Sequence, residues 1–445
     1  MEKEKFGKTV SVIAIPVALQ CMLQSSFSII DQIMIGKLGE VNIAAVGLAG
    51  KFSSIFSVVV AAVGAVGGIM IAQYMGAKDE DEVDRSFSLN MMVAVLIAVL
   101  FMMLCISCPK AIMGLYTGDV LVRDVAAGYL QFIAHTFLPI AIATMLATML
   151  RCMEKAFIPL IASIIAAFVN TGLNYVLIFG KFGIEKMGVT GAAFATIVAQ
   201  VVNMFIMLGA MLWLYYRKKK RENLTIRLGK MTGKQYLIML FPILANEFLW
   251  SLGENVYAAI YGNLGTDECA AMTLTYAIQG LTIGALSGLS QAAGIIIGKE
   301  LGKKEYEMAY VKAKKIVSYG FLLAMGLAVL VIALKGFYVD IFNVQENVKE
   351  TAKWILVAFA ILSPVKVLNM ILAGGILRSG GETKLVMYID LIGTWGIGVP
   401  LGVLASAVFK LPIPWVYFIL SLEEVVRLLI AVVFFKKKKW MKSIS

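Results

Sequence analysis

The chain has 445 residues, of which 60% are hydrophobic and 15% charged, with a formal net charge of +12. An ordinary soluble domain is nearer half apolar and a quarter charged, so a water-soluble globular protein is excluded. Apolar stretches of the ~20 residues needed to cross a bilayer recur along the whole chain. The ten-residue alternating segments of a membrane β-barrel do not occur. The expected fold class is an all-α integral membrane protein.

Apolar runs read against charged breaks predict helices at 11–35, 43–72, 88–108, 123–148, 156–179 and 189–216, then at 236–261, 268–298, 316–334, 352–377, 385–408 and 414–435. The first apolar run lacks a small-residue cleavage pattern, so it is expected to stay as a span. Twelve spans put both termini on one side. Counted loop by loop, 28 of the 40 lysines and arginines fall on that side, including Lys3, Lys5 and Lys8, the R-K-K-K-R run from Arg217, and the C-terminal K-K-K-K. The positive-inside rule makes that face cytoplasmic. The basic balance is therefore a topology signal with a secondary attraction to anionic lipid, and nucleic acid is not expected as a partner. The five cysteines, including the C-x-x-C pair Cys105 and Cys108, lie mostly in apolar segments, where an inert role is expected.

The charged break at 217–234 divides the chain into an N-terminal six-helix lobe (1–216) and a C-terminal one (235–445), with a basic cytoplasmic linker between them. Sliding the sequence against itself supports duplication. At an offset of 226, Pro16 meets Pro242, Gly36 and Gly39 meet Gly262 and Gly265, and Gly76 meets Gly302; at 227, Leu150-Arg151 meets Leu377-Arg378. Repeats of six spans share one orientation, so two pseudo-symmetric six-helix bundles flanking a central cleft are expected, the geometry of alternating access.

Polar residues inside spans are costly and so are functional candidates. Gln20, Gln24, Ser28 and Asp31 share one face of the first helix. Asn170 and Asn174 lie one turn apart on the fifth, and Thr196, Gln200 and Asn203 share a face of the sixth. One carboxylate among amide and hydroxyl oxygens suits an alkali cation such as Na+ better than a transition metal. The seventh helix carries Glu247, Trp250, Ser251, Glu254, Tyr257 and Tyr261 on one broad face. Acids and aromatics together suit cationic, apolar compounds, and twenty-five methionines supply adaptable apolar surface. Asp390 and Thr394 on the eleventh helix are one turn apart and face the same way. Tyr261 is assigned to packing. Glu423 and Arg427 on the last helix read as a structural i,i+4 pair. Lys51 and Lys366 either neutralise an acid or reach to an interface, and His135, the single histidine, is read as a packing residue.

Several segments carry a family resemblance. Pro16 to Asp31 followed by I-G-K-L-G and A-A-V-G, then N-T-G-L-N-Y-V-L-I-F-G-K-F-G at 170–183, M-G-V-T-G-A-A-F-A-T at 187–196, G-G-I-L-R-S-G-G-E-T-K at 374–384 and W-G-I-G-V-P-L-G at 395–402 together resemble the MATE (multidrug and toxic compound extrusion) family. The resemblance implies two six-helix lobes and antiport of Na+ or H+ against amphipathic, often cationic organic compounds. A monomer in the plasma membrane is expected. It places an N-lobe cation site on Asp31, Asn170, Asn174 and Thr196, and its C-lobe acids on Glu247 and Asp390. Gln20, Gln24, Trp250, Glu254 and Tyr257 complete the expected substrate cavity. Many members have an Asp where this chain has Asn174, which lowers the charge of the cation site and leaves the choice of ion open.

The alternative in the same superfamily is a flippase for a lipid-linked saccharide. The cleft candidates Asp31, Glu247, Glu254 and Asp390 are acidic, which disfavours an anionic pyrophosphate lipid. An enzyme is not expected: one histidine excludes H-E-x-x-H, and neither a G-x-S-x-G nor a Walker loop is present. No cofactor is called for.

Overall fold

The structure, a computed structural model, describes residues 2–217, 233–342 and 344–444. The predicted linker falls largely on 218–232, outside the described residues, as does the side chain of Ser28. The long helices are α1 (Glu2–Gly36), α2 (Glu40–Ala77), α3 (Glu80–Ser107), α4 (Val120–Cys152), α5 (Phe157–Phe179), α6 (Gly188–Arg217), α7 (Gly233–Gly262), α8 (Thr266–Gly302), α9 (Tyr306–Asp340), α10 (Glu346–Leu377) and α11 (Thr383–Val408). All eleven have the length and apolarity to cross a membrane. The twelfth span, α12, is two pieces, Ile413–Leu420 and Glu423–Lys436, separated by a turn at Ser421 and Leu422. Neither piece alone is long enough to cross ~30 Å of hydrocarbon.

Most helices run past the apolar stretches that predict them, because charged first turns continue them. Glu80, Asp81 and Glu82 open α3, where negative charge favours the helix N-terminus. Asp119 caps α4, its side chain accepting from the backbone N–H of Leu121 at 2.9 Å and Val122 at 3.2 Å. Gly180 stops α5 in the left-handed conformation at φ 68°.

The duplication seen in sequence is repeated in backbone geometry. Glu40 and Thr266, Glu80 and Tyr306, Val120 and Glu346, and Phe157 and Thr383 each begin corresponding helices at the same spacing of 226 positions as Pro16 and Pro242. The connections agree even where side chains differ. Positive φ occurs at Gly39 (98°) and Gly265 (151°), at Lys78 (59°) and Lys304 (63°), at Glu154 (61°) and Gly381 (82°), and at Gly183 (81°) and Lys410 (47°). The left-handed region is disfavoured for lysine and glutamate, so its recurrence at matched positions marks a shared chain path. The described residues are all-α, with eleven helices able to span a membrane and a broken twelfth, arranged as two related six-helix halves.

By internal packing the described residues form two compact units. One contains 19–71 and 80–217; the other contains 2–18, 72–79 and 233–444. The start of α1 and the end of α2 belong with the second unit because backbones approach there without intervening side chains. A Cβ added at Gly76 would strike the Lys299 carbonyl, one at Gly302 the Gln73 carbonyl, and one at Gly288 the Ala14 carbonyl. Gln73 is also fully buried, donating to the Ser379 carbonyl at 2.7 Å and accepting from the Ile444 N–H at 2.7 Å. In the other unit, Leu96, Leu100 and Met103 on one face of α3 are each more than half exposed. Such a stripe is costly in water and natural against lipid tails.

Candidate functional site

In the unit of 19–71 and 80–217, α1, α5 and α6 bring the predicted cation-coupling residues together. Asn174 donates to Asp31 Oδ1 at 2.8 Å. The Asn170 amide lies 2.9 and 3.1 Å from the two carboxylate oxygens, and its hydrogen bonds are satisfied when its nitrogen faces Asp31 and its oxygen takes the Thr196 hydroxyl at 3.2 Å. The Thr196 hydroxyl is also 2.9 Å from the Ala192 carbonyl on its own helix. Among the described residues, Asp31 receives a hydrogen bond from Asn174 and has no basic partner. Asn174 is 1% exposed, yet its Oδ1 has no hydrogen-bond partner, an unmet acceptor that a folded protein ordinarily avoids.

These atoms fit a hard monovalent cation. A half-turn of the Asn170 amide replaces a donor with an oxygen aimed at Asp31. A like turn of Asn174, whose nitrogen now donates to Asp31, brings its unpartnered oxygen round, and with the Thr196 hydroxyl and the carboxylate the pocket then offers oxygen ligands. Among the described residues no three of His, Cys, Asp and Glu are grouped to hold a metal. Sequence reasoning did not single out Tyr129 of α4, whose phenol lies within electrostatic reach of Asp31. A tyrosine in a span has too many structural uses for pattern alone to find it.

Gln20 and Gln24, expected in the substrate cavity, separate. Gln24 is exposed. Gln20 is buried, donating to Ser163 at 2.7 Å and accepting from Arg151 at 2.8 Å. Arg151 entered the sequence reading only as a repeat marker, and its contact explains why the repeat keeps it. Arg378, its counterpart, reaches Glu247 at 3.4 Å, and each arginine lies 131 residues from its partner.

In the other unit the acids gather around an arginine. Arg427 of α12 lies 3.6 Å from Asp390, 3.3 Å from Glu423 and 3.9 Å from Glu424, and also donates to Thr394. Tyr257 donates to Glu423 at 2.6 Å, and Asn369 to Glu424 at 2.8 Å. Lys366 approaches Glu424 at 3.9 Å, so of the two readings open for it the neutralising one applies. Asn246 hydrogen-bonds Asp390. The predicted Glu423–Arg427 pair is thus part of a larger network. Two of its helices depart from α-helical winding: α10 is π-helical over Met370–Leu377 and α11 over Ile392–Gly398, a distortion frequent at functional positions. Glu254, Tyr257, Tyr261, Lys366, Tyr417, Glu423 and Glu424 line a cavity beside the network. Glu254 and Trp250 are exposed.

His135 sits in a 3-10 turn (Ala134–Thr136) that interrupts α4, exposed rather than packed, its Nδ1 3.0 Å from the Phe132 carbonyl. None of the five cysteines forms a disulfide; Cys105 and Cys152 are buried, whereas Cys108 and Cys269 are exposed because they sit at helix ends. Lys51 is exposed.

The fold defines a polytopic helical membrane protein with an internal repeat. The MatE family profile matches residues 16–176 and again 242–404, so the repeat begins at Pro16 and Pro242, and the chain belongs to the MatE family of membrane transporters. Among its relatives, the uncharacterized transporter YisQ of Bacillus subtilis is 24% identical, over 90% of this chain and 88% of that protein. The probable multidrug resistance protein NorM of Thermotoga maritima is 24% identical over 99% and 94%. In fold, the chain matches a mutant of the Vibrio cholerae MATE transporter VcmN with a TM-score of 0.88, at 16% identity and 98% and 97% coverage. A MOP-superfamily transporter from Pyrococcus furiosus matches with 0.85, at 17% identity and 97% and 95% coverage.

Proposed function

We propose that this protein exports amphipathic, often cationic organic compounds from the cell in exchange for Na+ or H+, with Asp31, Asn170, Asn174 and Thr196 as the coupling site. The observation that carries the proposal is the unmet Asn174 oxygen beside a carboxylate with no basic partner among the described residues. A buried arrangement of that kind gains most from a bound cation or proton, which supplies the missing charge and an electron-pair acceptor together. Loading this pocket and emptying it on the other side of the membrane would bias the alternation between the two access states. The relatives named as multidrug resistance proteins support an organic substrate. The cavity with Glu254, Glu423 and Glu424 among Tyr257, Tyr261 and Tyr417 supplies the charge and the ring faces that an aromatic cation would use.

Transport into proteoliposomes under separately imposed Na+ and H+ gradients tests this reading and names the ion. One gradient is expected to drive uptake of a cationic dye, and Asp31→Asn to abolish the driven component while the protein still reaches the membrane. Driven transport by Asp31→Asn at the parent rate would remove Asp31 from coupling.

We also propose a plasma-membrane location with both termini cytoplasmic, supported by the bias of basic residues. The exposed thiols Cys108 and Cys269 lie at external helix ends under this topology. They should react with a membrane-impermeant maleimide in intact cells; protection until the cells are opened would reverse the orientation.

A further inference from the structure

The duplication allows the two polar clusters to be compared position by position. At 226–227 residues from Asp31 stands Tyr257, from Thr196 stands Glu423, and from Gln200 stands Arg427. The Arg427 network is therefore the second copy of the Asp31 pocket. The copies have exchanged roles. In the first, the carboxylate sits on the opening helix of the repeat and the closing helix offers a neutral hydroxyl. In the second, the opening helix offers the Tyr257 hydroxyl and the closing helix supplies the carboxylate, with a contact of 2.6 Å between them. The two amide ligands have no polar counterpart, since the matching positions are Gly396, Ile397, Pro400 and Leu401.

The second copy already contains a cation. The guanidinium of Arg427, 7% exposed, is shared by Asp390, Glu423 and Glu424. Each of those carboxylates has a further fixed donor, in Asn246, Tyr257 and Asn369 respectively. The network's buried atoms without a partner are Arg427 Nε and Asn369 Oδ1. One is a donor and one an acceptor, so the unmet capacity expresses no preference for an added cation. In the Asp31 pocket the unmet atom is an acceptor beside a carboxylate with no basic partner among the described residues.

We infer that Arg427 is a tethered cation occupying the duplicated site of the C-terminal half, so that the protein exchanges a cation only at Asp31. Removing the guanidinium while leaving its carboxylates opens a second site for a monovalent hard cation. The inference builds on the coupling role given to Asp31, but its test is read as a difference that does not depend on that role.

The measurement is the number of 22Na+ ions bound at saturation by the purified full-length protein in detergent. Arg427→Met is expected to bind one ion more than its parent, whether the parent binds one or none; a parent count of none would itself argue against Na+ at Asp31. Arg427→Lys, which keeps a tethered charge, is expected to match the parent. An unchanged count in folded Arg427→Met overturns the inference. Should that variant fail to fold, Asp31→Asn decides: it is expected to bind no Na+, and an ion retained by Asp31→Asn would show a second exchangeable site beside intact Arg427 and overturn the inference equally.

Discussion

The α4–α5 stretch of the first half and the α10–α11 stretch of the second follow the same path between the same turns, yet their interiors have diverged. α5 is regular and carries two amides, whereas α11 switches to π-helical winding at Ile392, two residues after Asp390, and carries a carboxylate answered from α12. The connections kept their left-handed residues even where Gly183 became Lys410. Turn geometry is thus the durable part of the repeat, and intramembrane charge is the part free to change, provided each buried charge is answered nearby.

Substitutions that break matched contacts in the two halves sharpen this contrast, and thermal unfolding in detergent reads them all. The largest effect is expected at Arg427. Its replacement by Met strands the buried Glu423 and the part-buried Asp390 and leaves Glu424 to Lys366 alone, and should cost about 3–5 kcal/mol, whereas Gln200→Met at the matching position should cost about 1 kcal/mol or less. Equal losses at the two positions would mean that the network is not balanced by its arginine. Next comes Arg151→Met, which leaves the buried Gln20 oxygen without its donor, at about 1–3 kcal/mol. The matching Arg378→Met should cost less, about 1 kcal/mol, because the Glu247 side chain is 33% exposed and can be solvated; the reverse order would show that the Arg378–Glu247 pair is the stronger anchor. The smallest effect is expected for Lys438→Ala. It breaks an ion pair with Glu307 that is 2.8 Å long but whose acid is 79% exposed, worth at most about 1 kcal/mol.

Much of this was legible in the sequence because the bilayer enforces simple rules. Span number and duplication follow from hydropathy and from shared Pro and Gly positions, and the gathering of Asp31, Asn170, Asn174 and Thr196 follows from helical spacing together with the family resemblance. What escaped were relations between helices. Gln20 reads as a cavity residue until Arg151, 131 positions away, is seen to hold it. Asp390 reads as a free acid until α12 places Arg427 against it. The break in α12 at Ser421 and Leu422 is invisible to hydropathy, since both pieces are apolar. Tyr129 carries no local signal at all, because only tertiary packing brings it near Asp31.

The glycine contacts of the second unit set a boundary for anyone wishing to make this protein sturdier for purification or crystallography. Replacing helical glycine by alanine gains up to about 1 kcal/mol where nothing obstructs the added methyl. Gly209 in α6 and Gly326 in α9 have open space around them, so they are the places to begin. Gly76, Gly288 and Gly302 are equally helical and equally tempting on propensity grounds, but there the methyl would wedge apart carbonyl-lined seams. A stabilisation campaign guided by helix propensity alone would therefore loosen the protein at those three positions while tightening it elsewhere.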